Sequence, residues 1–151
     1  MLALAASFTA CFLARPVEKP TATVRSASLS VASVTSIDGQ LALDIMNPNA
    51  FGVPLSGIEW ELSIGGAAAV SGRVEASQTI PAKASTPVTT SLHIDLSAAI
   101  GAASAVARGA RDYQLRARLH FSTQLGDLTV DVDHRGSLNG AGGLIGSLPS
   151  W

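Results

Sequence analysis

Apolar and polar residues alternate with a period of two along most of the chain after Val24. The clearest stretch is 58–64, where Ile, Trp and Leu at even positions are separated by Glu and Ser. This period places one face of a β-strand in a core and the other face in water. The same period recurs at 29–31, 41–45, 70–80, 88–94, 115–121 and 128–132. The pattern predicts an all-β domain, an immunoglobulin or fibronectin III-like β-sandwich of about seven strands.

One segment, 96–107, departs from this period and is rich in Ala. Its larger apolar residues fall near helical spacing at Leu96, Ile100 and Val106. Asp95 or Ser97 can cap its start, and Gly109 can end it. The segment is therefore predicted to form one short helix that crosses between two strands and packs on the edge of the sandwich.

The last two strands are predicted to form a hairpin that turns at residues 125–126. The cross-strand pairs of this register are Leu119 with Val132, Phe121 with Val130, Arg118 with Asp133 and His120 with Asp131. Apolar pairs then face the core and opposite charges face the solvent, which favours the register. Asp131 and Asp133 are accordingly interpreted as members of a surface ion-pair ladder and not as a catalytic pair of carboxylates.

Composition narrows the class of protein. The chain of 151 residues is 47% apolar and 14% charged, with a formal net charge of −1 and 5% aromatic residues. That apolar share supplies the core of one domain and excludes wholesale disorder. Nucleic-acid binding would require clustered Lys and Arg, usually with stacking aromatics, and neither is present. We therefore expect no nucleic-acid partner.

The residues that could carry catalysis do not converge. None of His93, His120 and His134 has another His or Cys at a metal-ligand spacing. His93 and His120 fall on the polar side of their strands, which is typical of solvated histidines. No Ser lies in a Gly-x-Ser-x-Gly elbow, and no glycine-rich phosphate loop precedes the helix. We expect a protein that is not an enzyme, without catalytic residues, cofactor, metal or small-molecule substrate.

The N-terminal residues resemble an export signal. Residues 1–10 are uncharged and mostly apolar, and Cys11 is the only cysteine of the chain. The segment 8–11 (Phe-Thr-Ala-Cys) resembles a bacterial lipobox, in which the cysteine is lipidated. Leu is usual where Phe8 stands, and the basic leader is missing, as it would be if translation started upstream of Met1. The alternative is a buried or free thiol near a frayed terminus, and a free exposed cysteine is a liability in an exported protein.

These features predict a domain organisation and a location. Residues 1–10 are predicted to be a lipoprotein signal peptide, 11–23 a lipidated extended tether, 24–138 the sandwich, and 139–151 a flexible tail. The membrane is the expected partner, through the lipid on Cys11. Because Phe12, and not Asp, follows the cysteine, the expected location is the outer membrane, facing the periplasm.

The most distinctive segment is 43–55, which contains Asn47, Pro48 and Asn49. Pro48 fixes its own φ angle and favours an extended conformation at Asn47, so the preceding strand ends sharply. Both asparagines can hydrogen bond to neighbouring backbone groups. The residues themselves therefore predict a structured turn.

The same segment resembles the WHy domain (water stress and hypersensitive response) of late embryogenesis abundant type 2 proteins. The resemblance covers about 27–138 and is carried by Asn47-Pro48-Asn49, Pro54-Leu55, Trp60, Gly72, Ile80-Pro81, 85–92, 113–117 and Gly136. It implies a β-sandwich with one helix, no catalytic residue, and a role in tolerance of drying, cold or other stress.

Two functions remain open at this point. The first is a non-catalytic, envelope-tethered domain for desiccation, cold or stress tolerance that makes weak protective contacts with client proteins or membranes. The second is a structural or accessory lipoprotein that binds one specific envelope partner, since the edges of a sandwich can accept an added strand.

Overall fold

Seven β-strands and one short helix make up the part of the chain that the computed structural model describes, residues 16–33, 35–67, 70–97 and 100–138. The elements are β1 (Thr21–Ser33), β2 (Ser36–Met46), β3 (Val53–Ile64), β4 (Val70–Ile80), β5 (Ser85–Asp95), α1 (Ile100–Ala107), β6 (Asp112–Thr123) and β7 (Gly126–Ser137). The predicted signal peptide, Cys11 and the predicted tail lie outside the described residues. Within the described ranges, no helix has the length and apolar character that crossing a bilayer requires.

The strands form two antiparallel sheets that pack face to face. One sheet has the order β1-β2-β5, and the other has the order β4-β3-β6-β7. The two sheets approach each other most closely where β1 meets β7 and where β4 meets β5. The predicted all-β sandwich is therefore confirmed.

The core lies between the sheets and is built from the alternate apolar residues of each strand. In β2, Leu41, Leu43 and Ile45 are at most 1% exposed, while the residues between them are partly exposed. Each such Leu or Ile stabilises the fold by about 1.5–3 kcal/mol relative to an exposed side chain. Period-two alternation thus identifies both the strands and the faces that pack together.

The helix is shorter than predicted and packs against the sandwich through a different face. It begins at Ile100, whose side chain is 79% exposed, and it buries the small side chains of Ala102 and Ala105. Leu96 is buried but lies before the helix. Its N–H donates to the carbonyl of Thr35 at 2.8 Å. The prediction that Leu96 and Ile100 share a helical face was therefore wrong. Small residues face the sandwich because they allow close packing.

The predicted ends of the helical segment are partly right. The Asp95 side chain accepts a hydrogen bond from the Ser97 N–H at 2.8 Å, in the turn that precedes the helix. Gly109 has a φ of 90°, a left-handed conformation that ends the segment at its C-terminus.

The register of the last hairpin differs from the predicted one by two residues. The turn is at residues 124–125, so Thr123 pairs with Gly126 and Leu119 pairs with Val130. Thr123 Oγ1 donates to the carbonyl of Gly126 at 2.6 Å, which closes the turn. A shift by two residues preserves the alternation of inner and outer faces. The apolar pattern therefore could not distinguish the two registers.

The N-terminal edge of the sandwich begins earlier than predicted. Strand β1 starts at Thr21, three residues before the predicted boundary at Val24, and Thr21 pairs with Met46 at the end of β2. Pro20 is buried just before the strand. Residues 20–23, predicted as tether, are thus part of the packed domain.

Candidate functional site

The segment predicted to be a structured turn contains the two buried polar side chains of the described residues. Asn47 is 0% exposed and Asn49 is 5% exposed. Both lie in the connection between β2 and β3, and both side chains are hydrogen bonded to backbone groups. We call Asn47, Asn49 and the backbone groups they bind the asparagine clamp.

Asn47 ties its own loop to the end of β4. Its Nδ2 lies 2.7 Å from the carbonyl oxygen of Phe51 and 3.1 Å from those of Ile80 and Pro81, and it donates to them. Its Oδ1 accepts from the N–H of Asn49 at 2.9 Å and from Asn49 Nδ2 at 3.0 Å. A buried amide with partners on both its oxygen and its nitrogen avoids the cost of an unpaired polar group.

Asn49 ties the loop to the segment before β1. Its Oδ1 accepts from the N–H of Glu18 at 2.8 Å, and its Nδ2 donates to the carbonyl of Glu18 at 2.8 Å. The side-chain amide thus binds the backbone of one residue as a neighbouring strand would. The sequence contains no local signal for this contact, because the two residues lie 31 positions apart.

The connection between β4 and β5 closes the clamp from the other side. The N–H of Lys83 donates to the carbonyl of Asn49 at 3.0 Å, and Lys83 Nζ donates to the carbonyl of Pro48. Lys83 has a φ of 53°, which turns the chain toward the β2–β3 loop. Three segments are therefore joined at one end of the sandwich.

Four further residues that carry the family resemblance follow the two asparagines of the clamp in the chain. Leu55 and Ile80 are buried, at 1% and 0% exposure, and contribute to the core. Pro54 is exposed in β3 and Pro81 is exposed directly after β4. The structure brings Asn47, Ile80 and Pro81 together through hydrogen bonds. Since the clamp's amides are occupied by the chain itself, its geometry is that of a scaffold.

Two of the glycines that carry the family resemblance lie beneath aromatic rings. Gly72 in β4 pairs with Trp60, and Gly136 in β7 pairs with Tyr113. A Cβ at Gly72 would overlap the Trp60 ring, and a Cβ at Gly136 would lie 2.6 Å from the Tyr113 hydroxyl oxygen. β4 and β7 are the edges of the four-stranded sheet. In both, the aromatic ring covers the position where the edge strand has no side chain.

The outer face of the four-stranded sheet carries a ladder of alternating charges. Arg73 lies 3.0 Å from Glu59, and Arg118 lies 2.7 Å from Asp131. A parallel row contains Glu61, Arg116 and Asp133, in which Arg116 lies 3.9 Å from Glu61 and 3.3 Å from Asp133. The predicted ladder is present, with Arg118 and Arg116 as partners of Asp131 and Asp133 in place of His120 and Arg118.

The ladder favours the charged form of two of its carboxylates, Asp131 and Glu59. The hydrogen bond from the Arg118 guanidinium lowers the pKa of Asp131 below its ordinary value. His120, which lies 3.1 Å from Glu59, is the largest cause that lowers the pKa of Glu59. A carboxyl group that acts as an acid–base catalyst is most efficient at neutral pH when its pKa is raised toward 7. These shifts go in the opposite direction.

The outer face of the three-stranded sheet is rich in hydroxyl groups and also carries an ion pair between Arg25 and Asp44, at 3.1 Å. The side chains that point outward there include Thr21, Thr23, Ser28, Ser30, Gln40, Thr89 and Ser91. His93 lies in the same face, with its side chain 72% exposed, and contacts Asp38. Within the described ranges, no three His, Cys, Asp or Glu side chains converge as metal ligands would.

Comparison with known families identifies this arrangement. The LEA_2 family model, described as late embryogenesis abundant protein, matches residues 42–136, well over half of the chain. The chain belongs to this family. The matched part of this LEA chain includes the asparagine clamp from Asn47 onward, and both glycine–aromatic pairs.

Solved structures share the fold of this LEA chain. The solution structure of AT1g01470 from Arabidopsis thaliana has a TM-score of 0.63 and 21% identity, and the match covers 90% of this chain and 91% of that one. A second solution structure, described as a candidate LEA protein (At2g46140.1), has a TM-score of 0.62 and 21% identity and covers 80% and 71%. A protein from Archaeoglobus fulgidus has a TM-score of 0.59 and 13% identity and covers 76% and 95%. No curated protein matches this chain with significant similarity.

Proposed function

We propose that this LEA chain is a non-catalytic stress-protection domain, exported and held at the cell envelope by a lipid on Cys11. The observation that carries the proposal is the family match over residues 42–136, which supports a stress-related role. The tether and the location rest on the lipobox-like residues 8–11 and on Phe12.

The mechanism we propose is weak contact through the outer faces of the two sheets. One face offers alternating charges and the other offers many hydroxyl groups, so a drying or unfolding client meets many hydrogen-bonding partners spread over both faces. The ladder's arginines already contact carboxylates, and the clamp's amides already contact the backbone. Because these arginines and amides already bind groups of the chain itself, they are not positioned to act on a substrate, which supports a role without catalysis.

A protection assay with the purified full chain tests this function. A freeze-labile enzyme is frozen and thawed, or dried and rehydrated, with the chain or with an equal mass of an inert protein of similar size. We expect more enzyme activity to survive with this chain, because its polar faces remain in contact with the client as water is withdrawn. Survival equal to that with the inert protein would contradict the proposal.

A specific envelope partner is the second candidate function. β4 and β5 are edge strands of their sheets in the described part of the chain, and an edge strand can pair with an extended peptide. Pull-down from a membrane extract separates the two candidates. One stoichiometric partner favours the accessory role, and its absence favours general protection.

A further inference from the structure

One end of the sandwich exposes large apolar side chains at neighbouring loop tips. Phe51, in the β2–β3 connection, is 45% exposed, and Leu125, at the tip of the β6–β7 hairpin, is 77% exposed. Together with Val17 and Pro54 they form the apolar part of a recess of about 370 Å³, whose remaining wall is Gly52 and residues 122–124. We call Val17, Phe51, Pro54 and Leu125 the apolar end. Neighbouring exposed apolar side chains are available for contact with an apolar partner.

The N-terminal segment enters the domain at this same end. Val17 lines the recess, and the next residue, Glu18, is held by the two hydrogen bonds to Asn49. The asparagine clamp therefore fixes the point where the described part of the chain begins, at residues 16–18. That point lies beside Phe51 and Leu125.

Chain length places a lipid on Cys11 close to the apolar end. Cys11 precedes Pro16 by five positions, so the intervening chain can span at most about 18 Å. The opposite end, where Ile100 begins α1, lies beyond strands of 11 to 13 residues. At about 3.3 Å per residue, those strands are about 36 Å long or longer. An anchored molecule can therefore bring its apolar end to the bilayer while Ile100 remains far from it.

We propose that the apolar end rests on the bilayer interface, with Phe51 and Leu125 among the lipid headgroups. The proposal builds on the lipid anchor proposed for Cys11, which holds this end at the membrane. Aromatic side chains are favoured at that interface, and apolar area buried there strengthens attachment by a single lipid chain. The lateral faces of both sheets then remain free for clients.

The test places a photo-crosslinking amino acid at Leu125 and, in a matched control, at Ile100, which is equally exposed at the other end. The full chain is coupled through the Cys11 thiol to a maleimide lipid in vesicles of phosphatidylcholine and phosphatidylglycerol, so that anchoring does not depend on cellular lipidation. We expect the yield of lipid crosslinks from position 125 to exceed that from position 100 several-fold. Equal yields at both positions, or none at either, would overturn the proposal.

Two further outcomes would also overturn it. Crosslinks from position 125 to residues of the same chain would show that the chain itself covers the recess, and crosslinks to a second copy would show a dimer interface. A mass spectrum of the mature natural protein tests the Cys11 lipid separately. A missing lipid there contradicts the tether, whereas the crosslinks on the chemically anchored chain test the orientation.

Discussion

Buried asparagines replace backbone pairing where the strands end. Asn47 and Asn49 satisfy carbonyl and amide groups of three chain segments that regular strand hydrogen bonds do not reach. The sequence predicted the turn, because Asn and Pro have well-defined local preferences. It could not predict Glu18 as the partner of Asn49, because that contact arises only when distant segments pack together.

Replacing Asn47 with Ala removes the centre of the clamp. The carbonyls of Phe51 and Ile80 and the N–H of Asn49 would lose their partner in a buried site. We expect Asn47→Ala to lower the free energy of unfolding by about 2–4 kcal/mol. Urea denaturation measures this change. Gln40→Ala, at an exposed site in β2, the strand that precedes Asn47, is the control, with an expected change within about 0.5 kcal/mol. Equal stability of the two variants would show that the clamp is dispensable.

The glycine beneath Trp60 is also required by packing. A methyl group at Gly72 would collide with the indole ring, so the ring must move and the edge of the sheet must adjust. We expect Gly72→Ala to destabilise the fold by about 1–3 kcal/mol and to shift the fluorescence emission of Trp60. Ser71→Ala, whose side chain is exposed in the same strand, serves as the control. An unchanged spectrum and stability in Gly72→Ala would refute the packing role.

At the scale of elements, alternation predicted which residues face inward but left the pairing of strands undetermined. The β6–β7 hairpin keeps the same inner face in either register, so only the turn geometry at Thr123 and Gly126 selects the observed one. The helix was predicted where it occurs, but with the wrong face, because large apolar residues were expected to pack and small alanines do so instead. The register in turn determines which charges meet in the ladder.

The ladder makes a prediction about pH. In the folded protein the pKa of Asp131 is lowered, chiefly by Arg118, so the pair's contribution to stability is present above the unfolded pKa, about 3.9. It is lost as pH falls through the lower folded pKa. We expect Arg118→Gln to raise the Asp131 pKa toward its ordinary value and to weaken the dependence of stability on pH below about 4.

NMR titration of the carboxyl groups measures that pKa directly. Arg25→Gln is the matched control, because Arg25 pairs with Asp44 at 3.1 Å on the other sheet. This control should leave the pKa of Asp131 where it is. If Arg118→Gln also leaves it unchanged, the assignment of the ladder is incorrect.

At the scale of the whole molecule, the fold was predictable and its ends were not. Seven alternating segments were sufficient to indicate a sandwich, because burial of one face per strand determines the layers. The apolar end could not be seen in the sequence, since Val17, Phe51 and Leu125 become neighbours only through the topology. The polar outer faces of the two sheets are the surfaces through which we propose that the molecule protects its clients.

A titration of protection against protein concentration tests that central claim most directly. A protective surface must be present in amounts comparable to its client, whereas an enzyme acts at trace levels and over time. We predict that the activity recovered after freeze–thaw rises gradually with the ratio of this chain to the client enzyme, exceeds that with an equal mass of inert protein, and does not depend on the time of prior incubation. Two results would contradict the account. One is full protection at a trace ratio of this chain to the client, with recovery that increases with incubation time. The other is recovery no better than with the inert protein.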